Sequence, residues 1–288
     1  MRRRTSTLAV LAAATLAAGC AVQDDGDAAS SSAGSSPASC TPGDLPTTDD
    51  GTLTIATDEP AYEPWFSDDD PANGKGYEAA VGYAIADQLG YAEDDVTWVR
   101  ARFDSVISPG PKSFDLDLNQ FGITEERKQA VDFSSSYYDV TQAVITTSGS
   151  PAAGATGLAD LKGLRIGAQV ATTSLDALTD VIDPDGDPVV FNTNDDAKLA
   201  LQNGQVDAIV VDLPTAFYIT AAELDDGVIV GQLPNSGTGA EQFGALLEKG
   251  SPLTGCVTQA VDALREDGTL ADLQQQWLSD VADAPVLS

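Results

Sequence analysis

Hydrophobic positions along the chain follow two spacings in turn, and this alternation predicts an α/β fold. Short apolar runs such as residues 53–57 and 208–211 are typical of buried strands. Between two such runs lies a helical stripe of apolar residues three or four positions apart: Tyr77, Ala80, Val81, Ala84, Ile85 and Leu89. Because strands and helices alternate, we expect mainly parallel sheets with helices on both faces.

Two turn-rich breaks, at residues 148–157 and 234–240, enclose a compact middle unit. This organisation predicts that residues 51–146 build most of lobe 1, that residues 147–240 build lobe 2, and that residues 241–288 return to lobe 1. Two crossings between lobes would make a hinge, with the ligand cleft between them. Two serial domains are the alternative.

The N-terminal segment has the pattern of an export signal. Three arginines at positions 2–4 precede the apolar run 8–18, which is shorter than the roughly 20 residues that a membrane span needs. The Leu-Ala-Ala-Gly that precedes Cys20 resembles a bacterial lipobox, which implies removal of residues 1–19, lipidation of Cys20 and anchoring at the outer face of the cell membrane. An ordinary secretory signal is the alternative. Residues 20–50 would then be the lipidated cysteine and a flexible tether rich in small and polar residues.

Composition excludes several classes of function. The chain of 288 residues has 45 acidic and 14 basic residues and no histidine, so its formal net charge is −31. Without histidine, Ser-His-Asp catalysis and HExxH zinc sites are excluded. The acidity argues against nucleic acid as a partner, since phosphate binding needs a basic face. There is no P-loop, dinucleotide fingerprint or EF-hand loop, so we expect neither a cofactor nor a metal.

Besides Cys20, whose lipidation is predicted, the chain has two cysteines, Cys40 and Cys256. An exported pair lies in an oxidising compartment, so we expect a disulfide, with two free thiols as the alternative. The bridge would join the end of the tether to a helix near the C-terminus. It favours the return of the chain to lobe 1 over two serial domains.

Four stretches carry a family resemblance: ATDEPAYEPW (56–65), GITEERKQAVDFSSSYY (122–138), LADLKGLRIGAQVATTS (158–174) with VDAIVVDLP (206–214), and REDGTLADLQQQW (265–277). In this order they resemble the family 3 extracellular solute-binding proteins, the polar amino acid receptors of ABC importers. The resemblance implies a two-lobed, type II periplasmic-binding-protein fold with two hinge crossings. It also implies a monomeric receptor, not an enzyme, that delivers a polar amino acid to permease subunits.

A free amino acid is a zwitterion, and each of its charges needs a partner when buried. The resemblance implies that Arg127 binds the carboxylate, because its planar fork can donate two parallel hydrogen bonds. Thr172 and Thr173, between a strand and a helix, would hold that carboxylate from lobe 2. Asp212, at the end of the strand 208–211, would accept the ammonium. The alternatives are an exposed helical arginine, a helix cap at Thr173 or Ser174, and a helix cap at Asp212.

The same resemblance implies two aromatic walls, Tyr62 and Phe103, which would cover the apolar carbons of the ligand. Core packing is the alternative for both. Two positions depart from the family pattern, which has Ser or Thr in place of Gly122 and a small residue in place of Gln120. Gly122 therefore lacks a hydroxyl, and the larger amide of Gln120 is expected to shrink or repolarise the pocket.

The ligand and the type of activity stay open at this point. Gln169 lies where the ligand side chain is often contacted, and with Gln120 and Asp58 it favours a polar ligand. Arg102 would instead suit an acidic one. An enzyme on the same fold, a carboxylate-assisted dehydratase or a peptidoglycan-cleaving enzyme, would need an acid in the cleft, for which Asp58 and Glu78 are candidates. A ligand-sensing module for another protein is the other alternative.

Overall fold

Ten strands form two five-stranded sheets in the described part of the chain, namely residues 40–41, 45–235, 241–278 and 284–288 of the computed structural model. The first sheet consists of β1 (Leu53–Thr57), β2 (Val96–Arg100), β3 (Leu116–Asp117), β4 (Val131–Val140) and β10 (Glu241–Glu248). The second consists of β5 (Gln142–Thr147), β6 (Ile166–Gln169), β7 (Val189–Phe191), β8 (Ala208–Asp212) and β9 (Gly227–Gln232). The strand orders are β2-β1-β3-β10-β4 and β7-β6-β8-β5-β9, so the two sheets share one arrangement.

Four strands of each sheet run in the same direction. In the first sheet β10 is antiparallel to both of its neighbours, and in the second sheet β5 is antiparallel to both of its own. These two strands are the first that the chain forms after it crosses between the sheets. Because β4 ends at Val140 and β5 begins at Gln142, Thr141 alone separates the sheets at the first crossing. The predicted two-lobed fold with mainly parallel sheets and two crossings is confirmed.

Helices cover the sheets. The α-helices of the described residues are α1 (Tyr77–Gln88), α2 (Phe103–Val106), α3 (Leu158–Leu161), α4 (Thr173–Ala177), α5 (Asn194–Gln202), α6 (Leu213–Tyr218), α7 (Thr254–Glu266) and α8 (Thr269–Leu278). Successive residues of β8 enter different apolar clusters, with Ile209 and Val211 in one and Ala208 and Val210 in the other. Both faces of the second sheet are therefore buried, which explains its continuous apolar runs. No helix of the described residues has the length and apolarity that a membrane crossing requires.

Two segments assigned to lobe 1 lie in the second lobe. Residues 142–146 form most of β5, which pairs with β8 and β9. No Gly, Pro, Asn, Asp or Ser interrupts residues 140–146, so the turn signals did not reveal that the chain crosses at Thr141. The C-terminal residues 284–288 also belong there, because Val286 pairs with β9 and Leu287 is buried under the second sheet.

The residues before β1 pack on the first lobe, although residues 20–50 were expected to form a tether. Leu45 is buried in the first-lobe core. Thr48 donates hydrogen bonds to Asp115 from its backbone N–H at 2.7 Å and from its hydroxyl at 2.9 Å. A buried apolar side chain and these bonds tie the end of the segment down. The tether prediction is therefore wrong for residues 45–50.

Cys40 and Cys256 form a disulfide with their sulfur atoms 2.06 Å apart, which confirms the predicted pairing. Cys256 lies in α7 and is buried in the first-lobe core. The bridge therefore attaches the segment before β1 to the lobe that the chain rejoins through β10. The predictions for residues 1–39, namely the signal peptide, lipidation of Cys20 and most of the tether, lie outside the described residues.

Candidate functional site

A cavity lies between the lobes, where strands of both sheets end. The space that it encloses is small, about 30 Å³, and the total rises to about 410 Å³ when the space open to solvent is included. Its lining residues are Asp58, Tyr62, Phe103, Asn119, Gln120, Gln169, Thr172, Thr173, Ser174, Asn194 and Asp212. These residues follow or end β1, β2, β3, β6, β7 and β8. The carboxyl ends of parallel strands are the usual ligand-binding edge of α/β sheets.

Seven of the predicted site residues meet in this cavity: Tyr62, Phe103 and Gln120 from the first lobe, and Gln169, Thr172, Thr173 and Asp212 from the second. The other two, Gly122 and Arg127, lie beside the cavity and are not among its lining residues. A Cβ atom on Gly122 would lie 2.9 Å from Cγ2 of Thr173 and 3.3 Å from Nη1 of Arg127. All nine residues therefore lie in one region of the interface between lobes.

Arg127 links the two lobes. Its Nη1 donates a hydrogen bond to the carbonyl of Gly122 at 2.7 Å, and its Nη2 donates to the carbonyl of Ala171 in the second lobe at 2.8 Å. The residue is 8% exposed, and its Cζ lies 5.6 Å from the ring centroid of Phe103, close enough for a cation–π contact. The two bonds use two of the five N–H groups that a guanidinium offers. The alternative of an exposed helical arginine is excluded.

Burial lowers the pKa of Arg127, and the nearby carboxylates of Glu241, Asp176 and Asp212 act in the opposite direction. Because the ordinary pKa of arginine is above 12, the side chain stays charged at any physiological pH. A guanidinium that carbonyl groups hold in place, and that has further N–H groups free to donate, is suited to binding a carboxylate.

Asp212 ends β8 and faces the cavity from the second lobe. Its Oδ1 accepts a hydrogen bond from Nε2 of Gln142 at 2.8 Å. Burial raises the pKa of Asp212, the neighbouring carboxylate of Glu241 raises it further, and the bond from Gln142 lowers it. A carboxylate that is desolvated in this way is stabilised by a cation placed against it.

Two residues beside the cavity, Gln142 and Glu241, were not selected from the sequence, and neither is among its lining residues. Nε2 of Gln142 donates to Asp212 and, at 2.9 Å, to Oε2 of Glu241, and its Oε1 accepts from the hydroxyl of Ser174 at 2.7 Å. Oε1 of Glu241 is buried and accepts no hydrogen bond of ordinary geometry. The sequence feature that could have identified them is their place along the chain, because each is the first residue of a strand that follows a crossing between lobes.

The loop between β6 and α4 brings the second lobe to Arg127. Ala171 has φ +61°, in the left-handed region that residues other than glycine rarely adopt, and its carbonyl accepts from Arg127. The hydroxyl of Thr172 accepts from the backbone N–H of Leu175 at 3.1 Å and donates to the carbonyl of Gln169 at 2.7 Å. The helix cap is therefore Thr172, whereas the sequence suggested Thr173 or Ser174 for this role.

The amide of Gln120 is bonded within the first lobe, although it was expected to repolarise the pocket. Its Nε2 and its backbone N–H both donate to the carboxylate of Glu78, the latter at 2.7 Å, and the hydroxyl of Tyr137 donates to the same carboxylate. Burial raises the pKa of Glu78 to about 7, while the bonds from Tyr137 and Gln120 lower it. Glu78 is fully buried and is not among the cavity lining residues.

The cavity walls combine rigid rings with negative charge. Phe103 stacks on Phe121 with ring centroids 4.8 Å apart and an interplanar angle of 15°, and Tyr62 is the other aromatic residue of the lining. The charged lining residues are Asp58 and Asp212, both acidic. Burial raises the pKa of Asp58 as well, against hydrogen bonds from the backbone of Glu59 and Phe103. The lining therefore favours a ligand that carries positive charge.

Comparisons with known proteins agree with this geometry. The model of the bacterial extracellular solute-binding proteins, family 3, matches residues 53–280. An L-arginine-binding protein of Pseudomonas aeruginosa is 29% identical over 78% of this chain and 90% of its own length, and the L-cystine-binding protein TcyJ of Escherichia coli K12 is 27% identical over 79% and 82%. The solved arginine-, lysine-, histidine-binding protein ArtJ of Geobacillus stearothermophilus has a TM-score of 0.66 at 25% identity, covering 80% of this chain and 96% of its own.

Proposed function

Because the chain belongs to the bacterial extracellular solute-binding proteins, family 3, we propose that it binds an amino acid between its lobes and delivers it to the permease of an ABC importer. The observation that carries this proposal is that opposite charges lie in one region between the lobes: Asp212 lines the cavity from the second lobe, and Arg127 of the first lobe lies beside it, bonded to Ala171 of the second lobe. A free amino acid has the matching pair of charges on one carbon atom. Binding it satisfies both groups at once.

In this proposal the N–H groups of Arg127 that Gly122 and Ala171 leave unused bind the carboxylate, together with Thr173. Asp212 accepts the ammonium. The stacked ring of Phe103 and the ring of Tyr62 cover the apolar carbons and exclude water, which strengthens the charged contacts. Both lobes touch the amino acid, so its binding favours the closed arrangement of the hinge.

We further propose that the preferred amino acid has a cationic side chain. Asp58 and Asp212 are the charged lining residues of the cavity, so a second positive charge on the ligand has an acidic wall to face. Arg102, the candidate for binding an acidic side chain, is instead exposed and paired with Asp104. Relatives named for arginine binding fit this preference, as does ArtJ.

The remaining features of the proposal concern location and mode of action. Export, removal of residues 1–19 and lipidation of Cys20 would hold the receptor at the outer face of the cell membrane, beside the permease. It would act as a monomer and release its amino acid unchanged. Glu78, one of the two acids that an enzyme could use, is buried against Gln120 and Tyr137, and the relatives compared above are named as binding proteins.

A thermal-shift screen of the purified protein against the twenty amino acids tests the proposal. We expect the melting temperature to rise with the concentration of arginine, lysine or histidine, because ligands of the native state stabilise it by mass action. Asp212→Asn should abolish that rise, whereas Asp187→Asn, at an exposed position of the same lobe, should not. Chromatography of the incubated amino acid should show no product. A wild-type protein that responds to none of the twenty would contradict the proposal.

A further inference from the structure

The carboxylate of Glu241 fills a space that exists because residue 122 is glycine. A Cβ atom on Gly122 would lie 2.8 Å from Oε1 of Glu241, closer than real Cβ contacts allow. The same position is 2.9 Å from a methyl carbon of Thr173 and 3.3 Å from Nη1 of Arg127. Glu241 therefore reaches the point where the carboxylate-binding groups of both lobes meet, and a side chain at position 122 would compete with it.

The two carboxylate oxygens of Glu241 are in different situations. Oε2 accepts from Nε2 of Gln142, the same nitrogen that donates to Asp212, so one amide group holds the two acids side by side. Oε1 is buried and accepts no hydrogen bond of ordinary geometry, and the hydroxyl of Thr173, which lowers the pKa of Glu241, is the other donor toward this carboxylate. A buried carboxylate oxygen without a donor is costly, and a cation with several N–H groups is the partner that would satisfy it.

An amino acid supplies such a partner, since an ammonium has three N–H donors and one aspartate cannot accept all of them. We propose that Glu241 is a second acceptor for the α-ammonium of the ligand, in the place of the side-chain oxygen that Gly122 lacks. This inference rests on the proposed function. Asp212 and Glu241 carry two negative charges and Arg127 one positive charge, so these three groups have a net charge of −1. An amino acid with a net charge of +1 would neutralise them.

The first experiment measures binding to Glu241→Gln by calorimetry, with L-arginine, L-glutamine and L-histidine as probes. Each is compared with its analogue that lacks the α-amino group: 5-guanidinopentanoate, 5-amino-5-oxopentanoate and 3-(imidazol-4-yl)propanoate. We expect the variant to bind the amino acid about 10- to 100-fold more weakly, the loss of one charge-assisted hydrogen bond, and to bind the analogue as wild type does. Glu126→Gln, at an exposed position beside Arg127, is the matched control and should leave both affinities unchanged.

A purely structural role for Glu241 would lower the affinity for the amino acid and for its analogue equally, and that result would overturn the inference while leaving the receptor function intact. If the wild type binds none of the twenty amino acids, the proposed function fails and the inference fails with it; if it binds one other than these three, that amino acid and its analogue without the α-amino group replace them as probes. Melting curves of the variant, which is close to isosteric, verify that it is folded.

A double-mutant cycle tests whether Glu241 and a side chain at position 122 share one place. In the wild-type background Gly122→Ser should weaken L-arginine binding, because the new side chain meets the carboxylate. In the Glu241→Ala background the same serine should weaken binding less, because the close contact with the carboxylate is gone, the one with Thr173 remains, and its hydroxyl can accept from the ammonium. Additive effects of the two substitutions would show that the two positions are independent, contrary to the inference.

Discussion

Replacement of Arg127 by alanine perturbs the group on which the proposed function most depends. The side chain has three roles in the structure: it donates to Gly122 in its own lobe, it donates to Ala171 in the other lobe, and it holds positive charge among the acids Glu241 and Asp212. In the proposed complex it also binds the carboxylate of the amino acid. The substitution removes all of these interactions together.

The loss in affinity follows from the burial of the site. Removing one partner of a buried charge pair costs about 3–5 kcal/mol, because the other charge stays buried without compensation. This corresponds to an increase in Kd of roughly 10²- to 10⁴-fold. The loss in stability follows from the two bonds to carbonyl groups, each a hydrogen bond from a charged donor that contributes about 1.5–3 kcal/mol. Arg127→Lys keeps the charge but not the fork, so its affinity should lie between those of wild type and alanine variant.

Isothermal calorimetry with L-arginine measures the first effect, and thermal unfolding followed by circular dichroism measures the second. Lys128→Ala is the matched control, since the neighbouring lysine is exposed and pairs with Glu125; it should change neither quantity appreciably. A folded Arg127→Ala protein that binds L-arginine within about threefold of wild type would show that this guanidinium does not bind the carboxylate.

Two further predictions concern stability. Cys256→Ser should lower the melting temperature by about 10 °C or more, because the chain-entropy model assigns about 5 kcal/mol to a bridge between residues 216 positions apart. The wild-type protein in reducing buffer should show the same decrease. An unchanged melting temperature would show that the bridge does not contribute to stability. Glu78, whose pKa is raised from 4.5 to about 7, binds a proton in the native state that it loses in the unfolded state, so its contribution to the free energy of unfolding falls by about 3 kcal/mol as the pH rises from about 4.5 through 7. The variant Glu78→Gln should lack this fall. The free energy of unfolding of the variant minus that of the wild type, measured by denaturant titration, should therefore rise with pH. A difference that stays constant across this pH range would refute the argument.

Much of the fold could be predicted from local patterns. Residues such as Ile209 and Val210 face opposite sides of a sheet that is covered on both, so burial leaves an unbroken apolar run that the sequence displays directly. The pairing of Cys40 with Cys256 was predictable because, with the thiol of Cys20 occupied by lipid, these would be the two thiols left in an oxidising compartment. The positions of Arg127 and Asp212 followed from spacings that the family shares.

Contacts across the crossings between lobes could not be predicted in this way. Gln142 and Glu241 are 99 positions apart and meet only because β5 and β10 both begin where the chain passes from one sheet to the other. The same passage places residues 142–146 in the second sheet, although no turn-forming residue separates them from the end of β4. Hydrophobic spacing reports how deeply a segment is buried but not which strand it pairs with, since any buried strand offers the same backbone donors and acceptors. The sheet to which a strand belongs depends on the path of the whole chain through both lobes. The position of Glu241 beside Asp212 depends on that path as well.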